Sequence, residues 1–309
     1  MATELNSPGF RFLLFFLVAA QLCLFAPLPA TAASLKAVVT IFPLGDLLKR
    51  VGGGLVDVEI LLKPGQSPHT YEPSPGDMKW IESSDVVVMA GFGLETWLDK
   101  LLKASPKKDR LEMDISRVVK NPISSDPHDE AHEGHAHGSI NPHYWLDPDI
   151  MADAVILMGD RLAAKLPAES RAILSRANSV AGELRALDSE ISKRLCGPGL
   201  GKDFVAFHNA WPYFARRYGL RVAGVIETAP GREPSARHIV KLVMEIKRSK
   251  AKAVMVEPQF SPRLGETLAR EAGVKTAVVD PIGGSSGSLS YFELMRNNSA
   301  RFADALSGK

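Results

Sequence analysis

Cysteine is almost absent from this chain of 309 residues, which has only Cys23 and Cys196. If Cys23 is lost with a leader, the one remaining thiol has no internal disulfide partner, so the fold must rest on its own core. Cys196 itself reads as a small, partly buried apolar side chain rather than a nucleophile. Charge of one sign is scarce as well. The formal net charge is +2 over the whole length, with no long basic block, so the electrostatic footprint of a nucleic-acid-binding protein is missing. H-E-x-x-H, G-x-S-x-G and comparable catalytic motifs are absent. What is present is ordinary for packed globular chains: 45% apolar and 23% charged residues. The length suffices for two domains of usual size or one large one.

Long apolar runs are confined to the beginning. Phe12 to Ala26 reads FLLFFLVAAQLCLFA, with Arg11 before it and PLPATAAS after it. Ala30-Thr31-Ala32 fits an A-x-A cleavage site, so residues 1–32 read as a secretory signal peptide cut near Ala32/Ala33. The alternative is an uncleaved anchor, but about 15 apolar residues fall short of the roughly 20 that span a hydrocarbon core. Lipid attachment at Cys23 is disfavoured because Leu22 stands where a small residue is expected. Export to the periplasm is the expectation.

After the leader, apolar runs alternate with helical stretches. Segments 36–41, 56–62 and 85–91 read as strands, with helices over 42–53 and 77–84. Strands alternating with helices imply βαβ units and a parallel sheet. Residues 121–142 break the pattern with three prolines, two glycines and four histidines, and read as a mobile loop. Helical spacing returns over 148–165, and again from 168 to about 195, where Cys196-Gly197-Pro198-Gly199 stops it. At 1.5 Å per residue that second helix is roughly 42 Å long, more than one small domain needs, so it is expected to join two lobes. Alternation resumes with strands at 203–207, 220–226, 251–257 and 275–280 and helices at 209–219, 236–250 and 261–273. The expected architecture is α/β: an N-terminal open sandwich lobe over 33–165, a linking helix over 166–197 and a C-terminal lobe over 198–309.

Outside the loop there are four histidines: His69, His143, His208 and His238. His69 follows strand 56–62, His208 follows strand 203–207, and Asp280 closes strand 275–280. Ligands of open α/β sheets gather at the carboxyl ends of strands. His143 lies where the chain returns from the loop. His238 falls inside a helical run and reads as a surface or hydrogen-bonded residue. Three imidazoles and a carboxylate suit a borderline-soft divalent cation, zinc, copper, iron or nickel by ligand type. Separations of 74, 65 and 72 residues leave such a site to be assembled by tertiary structure from both lobes, so lobe closure would be coupled to metal capture.

The segments PGQSPHTYEPSPGD (64–77), NPHYWLDP (141–148), FHNAWPYFARRYGL (207–220) and VVDPIG (278–283) resemble the zinc- and manganese-specific solute-binding proteins of ABC importers, the cluster A-I or cluster 9 family. The likeness runs from about Lys36 to Leu306. It implies two α/β lobes joined by a rigid helix, little lobe movement, one Zn2+ bound between them, and delivery to a membrane permease. Position by position, it puts the metal ligands at His69, His143, His208 and Asp280. Histidine at the third position, where manganese-type members usually carry glutamate, and the histidine-rich loop both favour the zinc-type subgroup. A manganese or iron importer component stays open as the alternative.

The loop histidines His128, His132, His135 and His137 read as auxiliary weak metal ligands, the competing reading being a solvated acidic linker. Trp145 is expected to pack beside His143. Asp147 reads either as a cap of the following helix or as a hydrogen-bond partner of a liganding imidazole. Glu72 and Glu227 read as salt-bridged or surface residues, the alternative being a place near the cleft. A zinc hydrolase would need an open coordination position and a general base, and Asp280 as fourth ligand would fill that position. An adhesin has no anchor motif or repeat array to support it. The sequence reading is therefore a monomeric, non-enzymatic capture protein, loaded directly or with a metallochaperone.

Overall fold

The computed structural model describes residues 34–125, 140–227, 231, 234–284 and 290–307. The signal peptide and His128, His132, His135 and His137 lie outside these residues.

The N-terminal lobe opens with β1 (Leu35–Val39), whose last three residues are buried, and the chain turns into α1 (Phe42–Gly52) with Pro43 in its first turn. Proline there is pre-set for a helix and costs no hydrogen bond. β2 (Val56–Ile60), α2 (Pro75–Ser83), β3 (Val86–Met89), α3 (Leu98–Ala104) and β4 (Leu111–Asp114) follow. Ser74 and Asp77 form a reciprocal capping box at the start of α2. All pairings are parallel, in the order β2-β1-β3-β4.

α4 (Pro148–Lys165) and α5 (Ser170–Leu195) come next. α5 has 26 residues, about 39 Å at the usual rise. Ile173, Ala177, Val180, Ala181, Leu184, Leu187, Ile191 and Leu195 form its buried stripe at intervals of three and four residues. The stripe packs on α4 and α1. Gly159 of α4 lets the two helices close up, since a Cβ there would stand 2.5 Å from the Ala177 methyl.

The second lobe repeats the first: β5 (Asp203–Ala206), α6 (Pro212–Tyr218), β6 (Arg221–Val225), α7 (Ala236–Ser249), β7 (Ala253–Val256), α8 (Arg263–Ala272), β8 (Lys275–Val278) and α9 (Tyr291–Leu306). Its sheet is again fully parallel, in the order β6-β5-β7-β8. α9 packs back on α5 and α1. One continuous core results, running from Val39 and Val88 through Leu184 to Phe204, Trp211, Met255 and Phe302. No helix among the described residues is long and apolar enough to cross a membrane.

The α/β class and the two parallel-sheet lobes agree with the sequence reading; β4, α3 and α9 are additions to it. Cys196 is a correction: it is exposed, because it caps α5 one residue beyond the buried stripe. Glu227 is another. It is buried rather than on the surface, and its carboxylate accepts a hydrogen bond from the Gly231 backbone.

Candidate metal centre

Both sheets share one order, so each has its switch point at its first strand, where the chain crosses from one side to the other. In the C-terminal lobe that point lies between β5 and β7. Ala206 pairs with Met255, and the ladder continues with Phe207 N donating to Met255 O at 2.9 Å. The next residues along the two strands, His208 and Glu257, therefore emerge side by side, and the Glu257 carboxylate stands 2.5 Å from His208 Nδ1.

His69 arrives from the N-terminal lobe on the turn that follows β2. That turn is tied down by Tyr71, which donates to Asp77 at 2.8 Å and packs its ring on Trp97. His143 sits one residue before a 3-10 turn, Tyr144–Leu146, and is 3% exposed. Its backbone N–H and its Nδ1 both lie 3.0 Å from Asn141 Oδ1, while the same Asn141 amide donates to Asn209 O at 2.7 Å. One asparagine thus clips the His143 turn to the residue after His208. Trp145 packs its ring 5.1 Å from that of His143, as expected, and donates from Nε1 to Pro281 O at 2.7 Å.

The three imidazoles converge. His143 Nε2 lies 2.9 Å from His69 Nε2 and 3.3 Å from His208 Nε2. The three form a group whose ligand atoms all stand within 4.8 Å of one another. Nitrogens on a tetrahedron with zinc bonds of about 2.0–2.1 Å would be roughly 3.3–3.4 Å apart, so the spacing fits one small cation with modest adjustment at His69. The acceptors at Nδ1, Asn141 for His143 and Glu257 for His208, assign the ring protons to that side and aim the Nε2 lone pairs into the cleft. Burial, and then the neighbouring His69 and His208, hold the His143 pKa well below the ordinary imidazole value. It is therefore neutral and ready to ligate at neutral pH.

Asp280 is not in this group of three. Its Oδ1 accepts from Gln259 Nε2 at 2.8 Å and from the backbones of Ile282 and Gly283 at 3.0 and 2.9 Å, so that oxygen organises the turn after β8. Glu72 is exposed. His238 lies in α7 with Nε2 at 2.9 Å from Val225 O, away from the imidazole group. Of the two readings of Asp147, the cap is the observed one: Oδ1 accepts from Asp149 N at 3.0 Å and Ile150 N at 3.5 Å. Glu257 and Asn141 were missed in the sequence. Glu257 closes a strand just as Asp280 does, and that positional signal could have found it; Asn141 offered none beyond its place beside His143.

Asp147 is itself buried at the start of α4. Arg217 approaches it at 3.8 Å while also pairing with Asp149 at 3.1 Å and Asp188 at 2.5 Å. Burial pushes the Asp147 carboxyl up to about 6 against the opposing Arg217, with Asp188 adding to the rise. A folded pKa above the unfolded one means that the folded state binds more protons, so stability rises as pH falls from about 6 toward the ordinary carboxylate range. Asp147→Asn keeps a capping oxygen and removes the titration. The stability of the variant minus that of the native protein should therefore be largest above pH 6 and shrink as pH approaches 4. Urea melts across that range measure it, and a pH-independent difference would contradict the assignment.

Comparison with known proteins agrees with this geometry. Residues 37–305 match the family described as zinc-uptake complex component A, periplasmic. The zinc-binding lipoprotein AdcA of Streptococcus pneumoniae serotype 4 is 32% identical over 252 residues, covering 80% of this chain and 50% of its own length. The chain thus spans about half the length of that relative. The high-affinity zinc uptake system protein ZnuA of Yersinia pestis is 30% identical over 272 residues, covering 82% of this chain and 85% of its own. A crystal structure of ZnuA superposes with a TM-score of 0.77 at 29% identity, covering 89% of this chain and all of that one. With the matched region spanning both sheets and all three converging histidines, the chain belongs to the periplasmic zinc-uptake component A family.

Proposed function

We propose that the protein captures Zn2+ outside the cytoplasm and delivers it to an ABC importer in the membrane, acting as a binding protein and not as an enzyme. The convergence of three imidazoles, with His143 Nε2 at 2.9 and 3.3 Å from the Nε2 atoms of the other two, carries this reading. His69, His143 and His208 hold the ion. Asp280 supplies the fourth donor, a role that would fall to Oδ2 because Oδ1 organises its own turn. All-imidazole donors with one carboxylate favour zinc over the harder manganese. Residues 33–165 and 198–309 serve as the two lobes, with 166–197 joining them, and loop histidines 128, 132, 135 and 137 gather metal weakly and pass it to the main site. The leader of residues 1–32 directs export.

The test is a competition titration of metal-free protein with zinc and with manganese against a chelator, the native protein beside His208→Ala. One tight zinc site, preferred over manganese and weakened roughly 100-fold by the substitution, is the expected result. Manganese preference, or tight zinc binding indifferent to His208, overturns the reading.

A further inference from the structure

Glu257 is 2% exposed, and its side chain is fully buried. Beyond its contact with His208 Nδ1, the carboxylate has no hydrogen-bond partner among the described residues. The one cation-forming side chain within 4.0 Å, among the described residues, is His208, through the Nδ1 contact. A buried carboxylate with so few partners is costly, because the water it gave up is not replaced. Its place is not an accident of packing. The register that pairs Ala206 with Met255 sets Glu257 beside His208 at the ends of the two central strands. The carboxylate meets the ring at Nδ1, the atom turned away from the Nε2 cluster, so it stands behind the ligand rather than in the ligand set.

Resting on the zinc reading above, we infer that Glu257 is a positioning residue for metal retention: it fixes the tautomer and orientation of His208 and places a negative charge opposite the bound cation. Three neutral imidazoles and the single Asp280 carboxylate compensate only half the charge of a divalent ion inside the protein. A carboxylate hydrogen-bonded to the far side of an imidazole makes the near nitrogen a stronger donor to the metal. The same group has no comparable counter-charge when the site is empty. Its contributions to the two states therefore differ in sign: it destabilises the metal-free fold and stabilises the zinc-loaded one. An ordinary structural residue would stabilise both.

Glu257→Gln, which keeps the shape, and Glu257→Ala test this by chelator competition with zinc and by melting of the metal-free protein. The expected result is a loss of zinc affinity of about 10- to 100-fold in both variants, with the metal-free melting temperature of Glu257→Gln equal to or above that of the native protein. Nitrogen-15 spectra of the His208 ring should show the Nδ1–H tautomer in the native protein and a mixture in Glu257→Gln. Zinc affinity within twofold of native in both variants overturns the inference. So does an affinity loss accompanied by a metal-free melting temperature several degrees lower in Glu257→Gln, because that is the mark of a structural role. His208→Ala separates the two levels. If it too leaves zinc binding unchanged, the zinc reading itself has failed; if it weakens zinc while the Glu257 variants do not, only the positioning role has.

Discussion

Replacing His143 with alanine should weaken zinc binding by about 3 kcal/mol, roughly 100-fold or more, the largest effect of any single substitution at the site. Zinc sites built from four protein donors are worth about 10–16 kcal/mol, so one donor accounts for a quarter or more of a value near the lower end. His143 should exceed the average donor for two reasons. It is the middle nitrogen, 2.9 Å from one partner and 3.3 Å from the other, so its loss breaks both contacts within the triad. It is also the most buried of the three and the most firmly held, with Asn141 on both its backbone and its ring. The metal-free protein should suffer less, because a neutral imidazole crowded by two others contributes little to an empty cleft. Chelator competition and thermal melting of both proteins provide the check. A loss no greater than that of His69→Ala would mean that the three donors are equivalent.

Trp145→Ala should cost about 3–5 kcal/mol of stability, as large aromatic truncations in packed interiors do. The indole is 0% exposed and stands between the two lobes: its ring packs on His143 and Tyr144, and its N–H reaches Pro281 O in the turn after β8. Tyr291 of α9 donates to the Trp145 carbonyl at 2.6 Å, a second link from the same residue to the C-terminal half. Trp145→Phe refills most of the space but leaves the Pro281 carbonyl without its donor. Its expected cost is about 1–3 kcal/mol. Zinc affinity should fall in the alanine variant, since His143 loses the wall that fixes its turn. Urea unfolding gives the stabilities, and equal costs for alanine and phenylalanine would show that the hydrogen bond, not the volume, dominates.

The fold was legible in the sequence because the central strands are short apolar runs, valine-rich in the first sheet as VVT and VVVM, that alternate with helical stretches. β4 was hidden because LEMD is short and half charged, an edge strand with one solvated side. α9 was hidden for a different reason. Two of its buried positions are Asn298 and Ser299, which blur the apolar stripe. Asn298 is there to bind the Asp280 backbone, donating to its carbonyl at 2.7 Å and accepting from its N–H at 2.8 Å. The three imidazoles could be found because each lies in a distinctive local segment at a strand end or loop return. Their partners could not be found as easily. Glu257 carries the strand-end signal, but it matters through a cross-strand neighbour 49 positions away, which that signal does not name. Asp280 is a ligand candidate by position, and position could not show that its Oδ1 would be taken up by the turn that follows β8.

The core that passes unbroken from Val39 to Phe302 has a thermodynamic consequence. Two sheets that share one interior have no separate stabilities to lose, so the protein should melt in a single cooperative transition. An ion held by the three histidines would then stabilise every element at once, by about 2.7 kcal/mol when its free concentration is 100-fold above the dissociation constant. The whole chain, and not one lobe, would report its binding in a melt.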